Sequence, residues 1–441
     1  ACGAASMTAI ELSQWQDDWA KRGAVALEAD NFIAIDYDRA RLGQDLFFDR
    51  ILSGNRNISC STCHHHSLGT TDQLPLGVGE GGRGLGLARK TGSGLGLIHE
   101  RVPRNSPALF NVGAKEFAFV FHDGRLSIDE SQPSGFKSPA KENMPLGLTS
   151  IVAAQAMFPP TSATEMAGQL GENPIADASK EAIHLAWPLL ADRVRSVPRY
   201  VEAFSKVYDD VDGADDITMV HIANALGDYI AGEWRSFNTP YDRFLRGDQY
   251  ALSQTAQQGM DLFFGKAKCS TCHNGPLLTD HDFHAIAVPQ FGGGKMPAGH
   301  ESAADRGRQG ITNNPADAFA FRTPALRNVA LTAPYMHDGA FATLEAAVRH
   351  HLDPIGSLRE FEAGDVRLPD QPELAARDFK FLTESKVIDE MIAANDLEPV
   401  ALTFDEMTAL VTFLRDGLTE KGASNGRLGP VKRVPSGLAV D

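Results

Sequence analysis

CSTCHHHSLG, which runs from Cys60 to Gly69, contains two cysteines and three consecutive histidines, and its core returns as CSTCHNGPLL from Cys269. Each copy is a C-x-x-C pair followed directly by a histidine. A C-x-x-C pair alone also fits a redox disulfide or half of a zinc site, but the two pairs of a four-cysteine zinc site usually lie about 15–20 residues apart. Here the pairs lie in opposite halves of the chain, so we interpret both as c-type haem attachments.

A C-x-x-C-H motif holds haem covalently, because its cysteines form thioethers with the porphyrin and its histidine becomes the proximal iron ligand. Attachment of this type takes place outside the bacterial cytoplasm, so we expect a periplasmic protein with two covalently bound haem c groups. The predicted attachment and ligand residues are Cys60, Cys63, His64, Cys269, Cys272 and His273.

Composition narrows the classes of partner and location. The 441 residues carry a formal net charge of -16, which argues against nucleic acid because its phosphates would be repelled, and leaves a basic protein partner open. No apolar run is long enough to span a bilayer. The chain begins Ala1-Cys2-Gly3, and Cys2 is either the lipidated first residue of a bacterial lipoprotein, and so a membrane anchor, or an unmodified cysteine.

The repeat extends beyond the haem motifs. Three further pairs of matching phrases occur in the same order: GQDLFFD (43–49) with GMDLFFG (259–265), SPALFNV (106–112) with TPALRNV (323–329), and HDG at 122–124 and at 337–339. The repeat period is far too long for a solenoid, so the matches imply two homologous modules with one haem each.

The sequence predicts a mainly α fold with two cytochrome c-like haem domains that arise from a duplicated module. Leu and Phe recur at helical spacing in the phrases that lead into both haem motifs, and convincing strand patterns are scarce. The expected organisation is an N-terminal extension over 1–30, a first domain over 31–245, a second domain over 246–425 and a C-terminal tail over 426–441.

Two local patterns carry more specific expectations. The Gly-rich run over 77–97 lacks the spacing and the preceding strand of a phosphate-binding loop, so we expect a flexible surface loop near the first haem. The phrase FDEMTALVTFLRDGL predicts a helix with apolar side chains from Phe404 to Leu414 on one face and with Gly417 as its stop.

With these motifs, the chain resembles the bacterial di-haem cytochrome c peroxidase family, and within it the MauG-like branch. The phrases that carry the resemblance are RNSPALFNV, AAQAMFPPTSATEMAG, FRTPALRNVALTAPYMHDG and LEAAVRHHLDP, which with the haem motifs span most of residues 40 to 420. The resemblance implies that hydrogen peroxide reacts at the haem of the first, peroxidatic domain. It also implies that the second, electron-transfer domain relays electrons to that haem.

The resemblance also implies an acid/base glutamate on the open face of the first haem, which maps to Glu165 in FPPTSATEMAG. Peroxide must lose a proton from one oxygen and gain one on the other before its O–O bond breaks heterolytically, and one carboxylate can shuttle that proton. Gln155 and Pro159 match neighbouring positions of the same pocket. Without the resemblance, Glu165 would be interpreted as a solvated residue of a Pro-rich loop.

The sixth ligand of the second haem is methionine in the family's peroxidases and tyrosine in MauG. The matching position in LEAAVRHHL is His351, which predicts that His273 and His351 both bind this iron. His350 and Met336 remain alternative ligands, and both histidines of LEAAVRHHL could instead lie on the surface.

Two further positions depart from the family pattern. The family usually has a tryptophan between the haems, and here His122 stands in its place, so His122 or Phe121 would have to bridge them. Classical members also carry a distal histidine that closes the first haem, whereas MauG-like members are open. His99 is the only histidine in the corresponding loop, and His65 and His66 are expected to point away from the iron.

The family binds one calcium ion between the haems through an asparagine side chain and two backbone carbonyls, oxygen ligands of the kind that a hard cation prefers. The matching positions are Asn105, Thr332 and Pro334. Asn105 before Ser-Pro could equally be an ordinary turn residue.

Two classes of function follow. The first is a peroxide-driven oxidoreductase, with electrons from a small redox protein or from a partner protein that is oxidised on a Trp or Tyr side chain. The second is a di-haem electron carrier without catalysis, in which both irons have six ligands. An open first haem beneath Glu165 favours the enzyme.

Overall fold

The computed structural model describes residues 7–293 and 304–441, and Cys2 lies outside them. The described part is mainly helical, which confirms the predicted fold class. No helix within these ranges combines the length and apolarity needed to cross a membrane. The helices up to residue 245 are α1 (Ala9–Ala20), α2 (Tyr37–Phe48), α3 (Cys60–Cys63), α4 (Ile151–Ala156), α5 (Pro174–Glu181), α6 (Ile183–Arg195), α7 (Pro198–Val207), α8 (Met219–Glu233) and α9 (Pro240–Leu245).

The rest of the chain adds shorter helices, and two small antiparallel sheets lie between the helical parts. The remaining helices are α10 (Gln254–Phe263), α11 (Gln309–Thr312), α12 (Leu344–Leu352), α13 (Pro354–Glu360), α14 (Pro372–Asp378), α15 (Ser385–Ala394) and α16 (Phe404–Thr412). The strands are β1 (Phe119–Val120), β2 (Leu126–Ile128) and β3 (Phe136–Lys137) in one sheet, in the order β1-β2-β3, and β4 (Phe283–His284) and β5 (Phe321–Arg322) in the other. Phe119 pairs with Ser127, Ile128 with Phe136, and Phe283 with Arg322.

Polar caps determine where the helices around the haem motifs begin. Asp36 before α2, Ser253 before α10 and Thr403 before α16 each accept a hydrogen bond from a backbone N–H of the first turn. Such caps satisfy N–H groups that have no partner within the helix. The short polar residue before each apolar run therefore determines where each of these helices begins.

The helices that lead into the two haem motifs make the same close crossing with a partner helix. A side chain at Gly43 of α2 would lie 1.9 Å from the carbonyl oxygen of Ala225 in α8, and one at Gly259 of α10 would lie 1.9 Å from that of Ala409 in α16. Only glycine permits so close a backbone approach. The shared glycine of GQDLFF and GMDLFF is thus explained by equivalent packing in the two halves, as expected for a duplicated module.

Two apolar cores support the two haem motifs. The first is built mainly from α2, α4, α6 and α8, and the second from α9, α10 and α16. Trp15 and Trp19 of α1 pack against the second core, while Val434 near the end of the chain lies in the first. Each end of the described chain therefore packs against the module that is more distant in sequence. The predicted domain limits stay predictions.

The Gly-rich run is not a flexible surface loop, contrary to the prediction. Its first residues, 77–82, are buried, and the buried Arg89 guanidinium donates hydrogen bonds to the carbonyls of Val78, Gly79 (2.7 Å) and Gly84 (2.8 Å). Arginine supplies several fixed donors, and these cross-link the run internally. Exposure is confined to its later part, where Leu95 is 99% exposed.

The prediction for the helix near residue 410 was wrong at its first residue. Met407 and Leu414 are buried in the second core, whereas Phe404 is 80% exposed. Phe404 is the first residue of α16 and precedes the first buried side chain by almost one turn, so it projects beyond the packed face. The predicted stop at Gly417 agrees with the structure, where α16 continues into a wide π-type turn over Phe413–Gly417.

Candidate haem sites

The first motif presents one histidine with its ring oriented by the backbone. His64 follows α3 and is half-buried, and its Nδ1 lies 3.2 Å from the carbonyl oxygen of Thr70 and 3.3 Å from Oγ of Ser106. Burial lowers the pKa of His64 because it disfavours the imidazolium. With its proton on Nδ1 and donated to Thr70, the ring presents the lone pair of Nε2, which is the atom that binds a metal.

The two following histidines are used differently. His65 accepts a hydrogen bond from the backbone N–H of Ser67 at its Nδ1, and its ring packs against that of His66 with centres 4.4 Å apart. These contacts form a local turn next to the motif. His65 and His66 are therefore engaged in local contacts, unlike His64, which is predicted to bind the iron.

The thiols of the first motif are held neutral. Burial raises the pKa of Cys60 to about 12, and it raises the pKa of Cys63 further, with a smaller contribution from the negative charge of Asp72. Two unionised thiols one helical turn apart, next to an oriented imidazole, form a donor set that fits a covalently attached haem.

The second motif brings two imidazoles together in a tilted, edge-on arrangement. The ring centres of His273 and His351 lie 6.3 Å apart, with 61° between the ring planes. Two imidazoles that bind one metal ion from opposite sides have ring centres about 6 Å apart, since each metal–nitrogen bond is about 2 Å and each ring centre lies about 1 Å behind its nitrogen. The space between these rings therefore has the width that a haem iron requires.

Backbone carbonyls orient both of these rings. Nδ1 of His273 lies 2.9 Å from the carbonyl oxygen of Leu278, and Nδ1 of His351 lies 2.8 Å from that of Ala347, one turn earlier in α12. Each Nδ1–H donates, so the Nε2 lone pairs are available to a metal. Burial, and then the charge of the facing His351, lower the pKa of His273 to about 4, which keeps it in the ligating neutral form.

The alternative ligands are engaged elsewhere. Nδ1 of His350 lies 3.0 Å from Oγ of Ser357, and its Nε2 lies 2.7 Å from the carbonyl oxygen of Ile286, so both nitrogens have hydrogen-bond partners. Met336 packs against the separate apolar cluster that contains Phe341. The arrangement favours His351 over both alternatives.

The two CSTC segments differ in exposure although their sequences are identical. Ser61 and Thr62 are buried, whereas the equivalent Thr271 is exposed. Part of the cover over the first motif comes from the other end of the chain, because Asp441 accepts hydrogen bonds from Oγ of Ser59 (3.1 Å) and from the hydroxyl of Thr62. The second motif therefore has an edge that a partner protein can reach, while this edge of the first motif is enclosed.

Glu165 lies on the side of the first motif, in a wide turn over Ala163–Ala167. The negative charge of its half-buried carboxylate contributes to the raised pKa of Cys63, after the larger effects of burial and Asp72, so the two side chains lie within electrostatic range of each other. The turn is held by the Gly-rich run, because the N–H of Glu80 donates to the carbonyl of Glu165 at 2.9 Å and a side chain at Gly79 would lie 1.8 Å from the carbonyl oxygen of Thr164. The sequence gives no local signal of this contact.

The two neighbouring pocket residues lie on the segment that leads to Glu165. Gln155 is half-buried in the last turn of α4, and Pro159 opens a short 3₁₀ turn. Between them, the buried Phe158 packs edge to face against Phe121, with ring centres 6.3 Å apart. The structure thus brings the Glu165 segment next to the residues that precede the first HDG phrase.

His122 lies at the contact between the two halves. Its Nε2 is 3.0 Å from the carbonyl oxygen of Asn105, and its own carbonyl accepts a hydrogen bond from the N–H of Arg322 at 2.8 Å. Burial, and then the positive charge of Arg104, lower the pKa of His122 to about 3. His122 is therefore a neutral donor to Asn105, which also donates its N–H to the carbonyl of His337, in the second HDG phrase.

A buried charge network at the same contact was missed by the sequence analysis. The Arg104 guanidinium binds both carboxylate oxygens of Asp305, at 2.7 and 2.8 Å, and one oxygen of Asp123 at 2.7 Å. Burial disfavours the charge on Asp305, but the facing Arg104 outweighs it and lowers the pKa of that carboxyl. Arg125 adds a second contact to Asp123 at 3.1 Å. The only signals in the sequence are two arginines, one in PRNSP and one directly after HDG.

Two of the three predicted calcium ligands lie together. The amide of Asn105 donates to the carbonyls of Leu74 (2.7 Å) and Pro75 (3.3 Å), which fixes the direction of its side-chain oxygen. A side chain at Gly339 would come within 3.0 Å of both the Asn105 amide and the Pro334 ring, so these two residues share one small space. The hydroxyl of Thr332 is used locally, by the carbonyl of Val329, and leaves its backbone carbonyl as the donor. An all-oxygen set of this kind suits a hard cation.

The loop histidine that could close the first haem faces solvent. His99 is exposed, and its carbonyl accepts a hydrogen bond from the Arg377 guanidinium at 3.2 Å. This position agrees with an open first haem.

The family described as di-haem cytochrome c peroxidase matches residues 37–250. The chain is 30% identical to the methylamine utilization protein MauG of Methylorubrum extorquens over 71% of this chain and 69% of that protein. It is also 30% identical to the cytochrome c551 peroxidase of Nitrosomonas europaea over 75% of this chain and 77% of that protein.

Solved structures share the fold at lower identity. A MauG-like protein associated with microbial copper homeostasis is 24% identical, with a TM-score of 0.58 over 90% of this chain and 93% of that one. The diheme peroxidase BthA from Burkholderia thailandensis is 20% identical, with a TM-score of 0.54 over 92% of this chain and 91% of that one. The chain therefore belongs to the di-haem cytochrome c peroxidase family, which confirms the predicted family, the two haem c groups and an oxidoreductase activity with peroxide as electron acceptor.

Proposed function

We propose that the chain is a periplasmic peroxidase in which hydrogen peroxide reacts at the first haem and the second haem supplies electrons. The observation that carries the proposal is the difference between the two sites. A carboxylate, Glu165, lies beside the first motif, whereas an imidazole, His351, faces the proximal histidine of the second. An iron with two imidazole ligands has no free position for peroxide, so the second haem is suited to electron transfer and the first to catalysis.

Haem iron, when bound, supplies the redox chemistry that splits peroxide. The chain supplies the proton transfer: Glu165 accepts the proton from one peroxide oxygen and returns it to the other, which then leaves as water. Arg125 contributes a half-buried positive charge that attracts both Glu165 and Asp123. Gln155 and Pro159 line the same approach and limit how peroxide can enter.

The exposed edge of the second haem motif indicates where electrons enter the protein. The surface at Thr271, with the exposed Lys266 and Lys268 beside it, is where a redox partner can approach the second haem. Electrons then cross to the first haem through the contact at His122, where the neutral, half-buried ring joins the two halves. The electron source is a small redox protein or a partner that loses electrons from a Trp or Tyr side chain. The exposed position of His99, which resembles the MauG-like pattern, favours the second source.

Calcium between the haems is part of the proposal. The side-chain oxygen of Asn105 and the backbone carbonyls of Thr332 and Pro334 would hold it. The ion would stabilise the contact at which Asn105 already joins His122 to His337.

Glu165→Gln tests the catalytic role. The substitution keeps the size of the side chain and removes the base, so we expect the reaction with peroxide to slow by about 10²–10⁴-fold, the usual contribution of a positioned acid/base group. Stopped-flow spectroscopy of the protein with both haems bound would measure the rate. Haem content and the spectrum of the second haem should not change.

Glu172→Gln is a matched control, because Glu172 is an exposed carboxylate that follows Glu165 in the same region. It should react with peroxide at the native rate. If Glu165→Gln also reacts at the native rate, another group transfers the proton and the assignment of Glu165 is wrong.

A further inference from the structure

The N-terminal helix α1 carries two tryptophans, and a chain of aromatic rings joins them to the second haem motif. Trp15 and Trp19 have ring centres 6.1 Å apart, and Trp19 and Phe264 have ring centres 6.2 Å apart. Phe264 contacts Phe263 at 4.9 Å, and Phe263 contacts the ring of His273 at 6.5 Å. Each step is an aromatic contact of ordinary distance, so the chain of rings is continuous from α1 to the proximal histidine.

The indole and phenyl rings along this path have different roles. Indole is oxidised far more easily than benzene, so the tryptophans can lose an electron while Phe263 and Phe264 only shorten the distance that it must tunnel. Trp15 and Trp19 are both half-buried and half in contact with solvent, in a helix that is otherwise largely exposed. The chain of rings therefore begins at the protein surface and ends beside the iron ligand.

Local charge distinguishes the two tryptophans. The guanidinium of Arg22 lies over the Trp19 ring, 4.3 Å from its centre, and a cation in this position opposes positive charge on the indole. The Nε1–H of Trp15 donates to the carbonyl oxygen of Phe244 at 3.1 Å. This hydrogen bond becomes stronger when the indole carries positive charge, so it stabilises the oxidised ring. Positive charge is therefore more stable on Trp15, and Trp19 lies between it and the haem motif.

We propose that Trp15 and Trp19 are a redox-active site through which electrons enter the second haem from the surface of α1. The proposal rests on the proposed function, since peroxide supplies the oxidising equivalents: hydrogen peroxide takes two electrons and two protons and becomes two waters. Each of these electrons leaves the Trp15 indole in turn, by way of Trp19, Phe264 and Phe263. Trp15 becomes a radical cation that is hydrogen-bonded to the Phe244 carbonyl, and an electron from an external donor restores it.

The test uses the protein with both haems bound and hydrogen peroxide without any reductant. With no donor to restore it, the oxidised indole reacts further, and oxygenated tryptophan accumulates. Peptide mass spectrometry should find several-fold more oxygenation in the peptide with Trp15 and Trp19 than in those with the buried Trp187 and Trp234. Electron paramagnetic resonance should detect an organic radical during the same reaction.

Phe264→Leu interrupts the chain of rings, and we expect it to lower oxygenation of α1 several-fold, whereas Phe264→Tyr keeps a ring and should preserve it. Phe244→Leu is the matched control. Phe244 contacts Trp15 at 5.0 Å and Trp19 at 6.0 Å, so its loss loosens α1 to a similar extent but leaves the path through Phe264 intact.

If a diffusing oxidant attacks exposed indoles, loosening of α1 should leave oxygenation at the native level or raise it in both Phe264→Leu and Phe244→Leu. That result in Phe264→Leu would show that the proposal is wrong. Equal oxygenation of all tryptophan peptides would overturn it as well. The initial reaction of peroxide at the first haem precedes any electron supply from α1, so its rate in stopped-flow mixing should be native in each of these variants. The proposed function is tested separately, because only Glu165→Gln should slow the reaction with peroxide.

Discussion

At the scale of single residues, the two haem motifs differ in the side chains that lie near them. Both His64 and His273 donate from Nδ1 to a backbone carbonyl, so their rings are prepared in the same way. The difference lies in the partners, Glu165 for one and His351 for the other. One substitution at the second partner should therefore convert an electron-transfer site into a site that has an open position.

His351→Ala should change the second haem from low-spin to high-spin, because the iron would lose its second imidazole ligand. Electron paramagnetic resonance of the oxidised protein measures this change, and added imidazole should restore the low-spin signal. His350→Gln provides the control, since the nitrogens of His350 are occupied by Ser357 and Ile286. A low-spin signal that survives in His351→Ala and disappears in Met336→Ala would assign the ligand to Met336.

At the scale of elements, the position of Glu165 depends on the Gly-rich run. The N–H of Glu80 binds the carbonyl of Glu165, and Gly79 lies against Thr164 so closely that no side chain fits between them. The turn that carries the proposed acid/base group is therefore held from outside, by residues about 85 positions earlier in the chain. This contact also explains why the run is buried.

Gly79→Ala should displace the Glu165 turn and slow the reaction with peroxide by about 10-fold or more, since small misplacements of a catalytic group can cost as much as 10²-fold. Stopped-flow mixing measures the rate, and the second haem should keep its spectrum. Gly96→Ala is a control in the same run, because its nearest neighbour would lie 3.6 Å away, at an ordinary contact distance. If Gly79→Ala reacts at the native rate, the run does not position Glu165.

Sequence reasoning succeeded where a pattern is local. The C-x-x-C-H motifs and the LEAAVRHHL helix can be identified from neighbouring residues, and α12 does begin and end within that phrase. The burial of Val78 could not be predicted in this way, because it depends on the turn that carries Glu165, far away in the chain. Glu165 could be named only through a resemblance, since a glutamate in a Pro-rich loop has no pattern of its own.

At the scale of the whole molecule, Arg104 joins the two halves. It comes from the first half and binds Asp123 of the same half together with Asp305 of the second, and all three side chains are buried. The bidentate geometry satisfies most of the guanidinium donors and gives the contact a fixed orientation. Because Arg104 and Asp305 are separated by about 200 residues, no spacing pattern in the sequence predicts the network.

Arg104→Ala should destabilise the protein by about 3–5 kcal/mol, because it leaves Asp123 and Asp305 as buried charges that have lost a partner. Chemical denaturation measures the free energy of unfolding. Lys206→Ala is the comparison, since Lys206 pairs with Glu202 on an exposed helix face and should contribute less than about 1 kcal/mol. A loss of stability in Arg104→Ala no greater than in Lys206→Ala would show that the network does not hold the halves together.

The contact of Asp441 with Ser59 and Thr62 has a consequence for the order in which the protein is made. Asp441 is made after the entire second module, yet it completes the packing around the first haem motif, and Val434 fills part of its core. The motif that appears first during synthesis is thus the one whose surroundings are finished last. The two identical CSTCH segments are therefore completed at different times: the first waits for Val434 and Asp441, whereas the second needs α16, which follows it more closely in the chain.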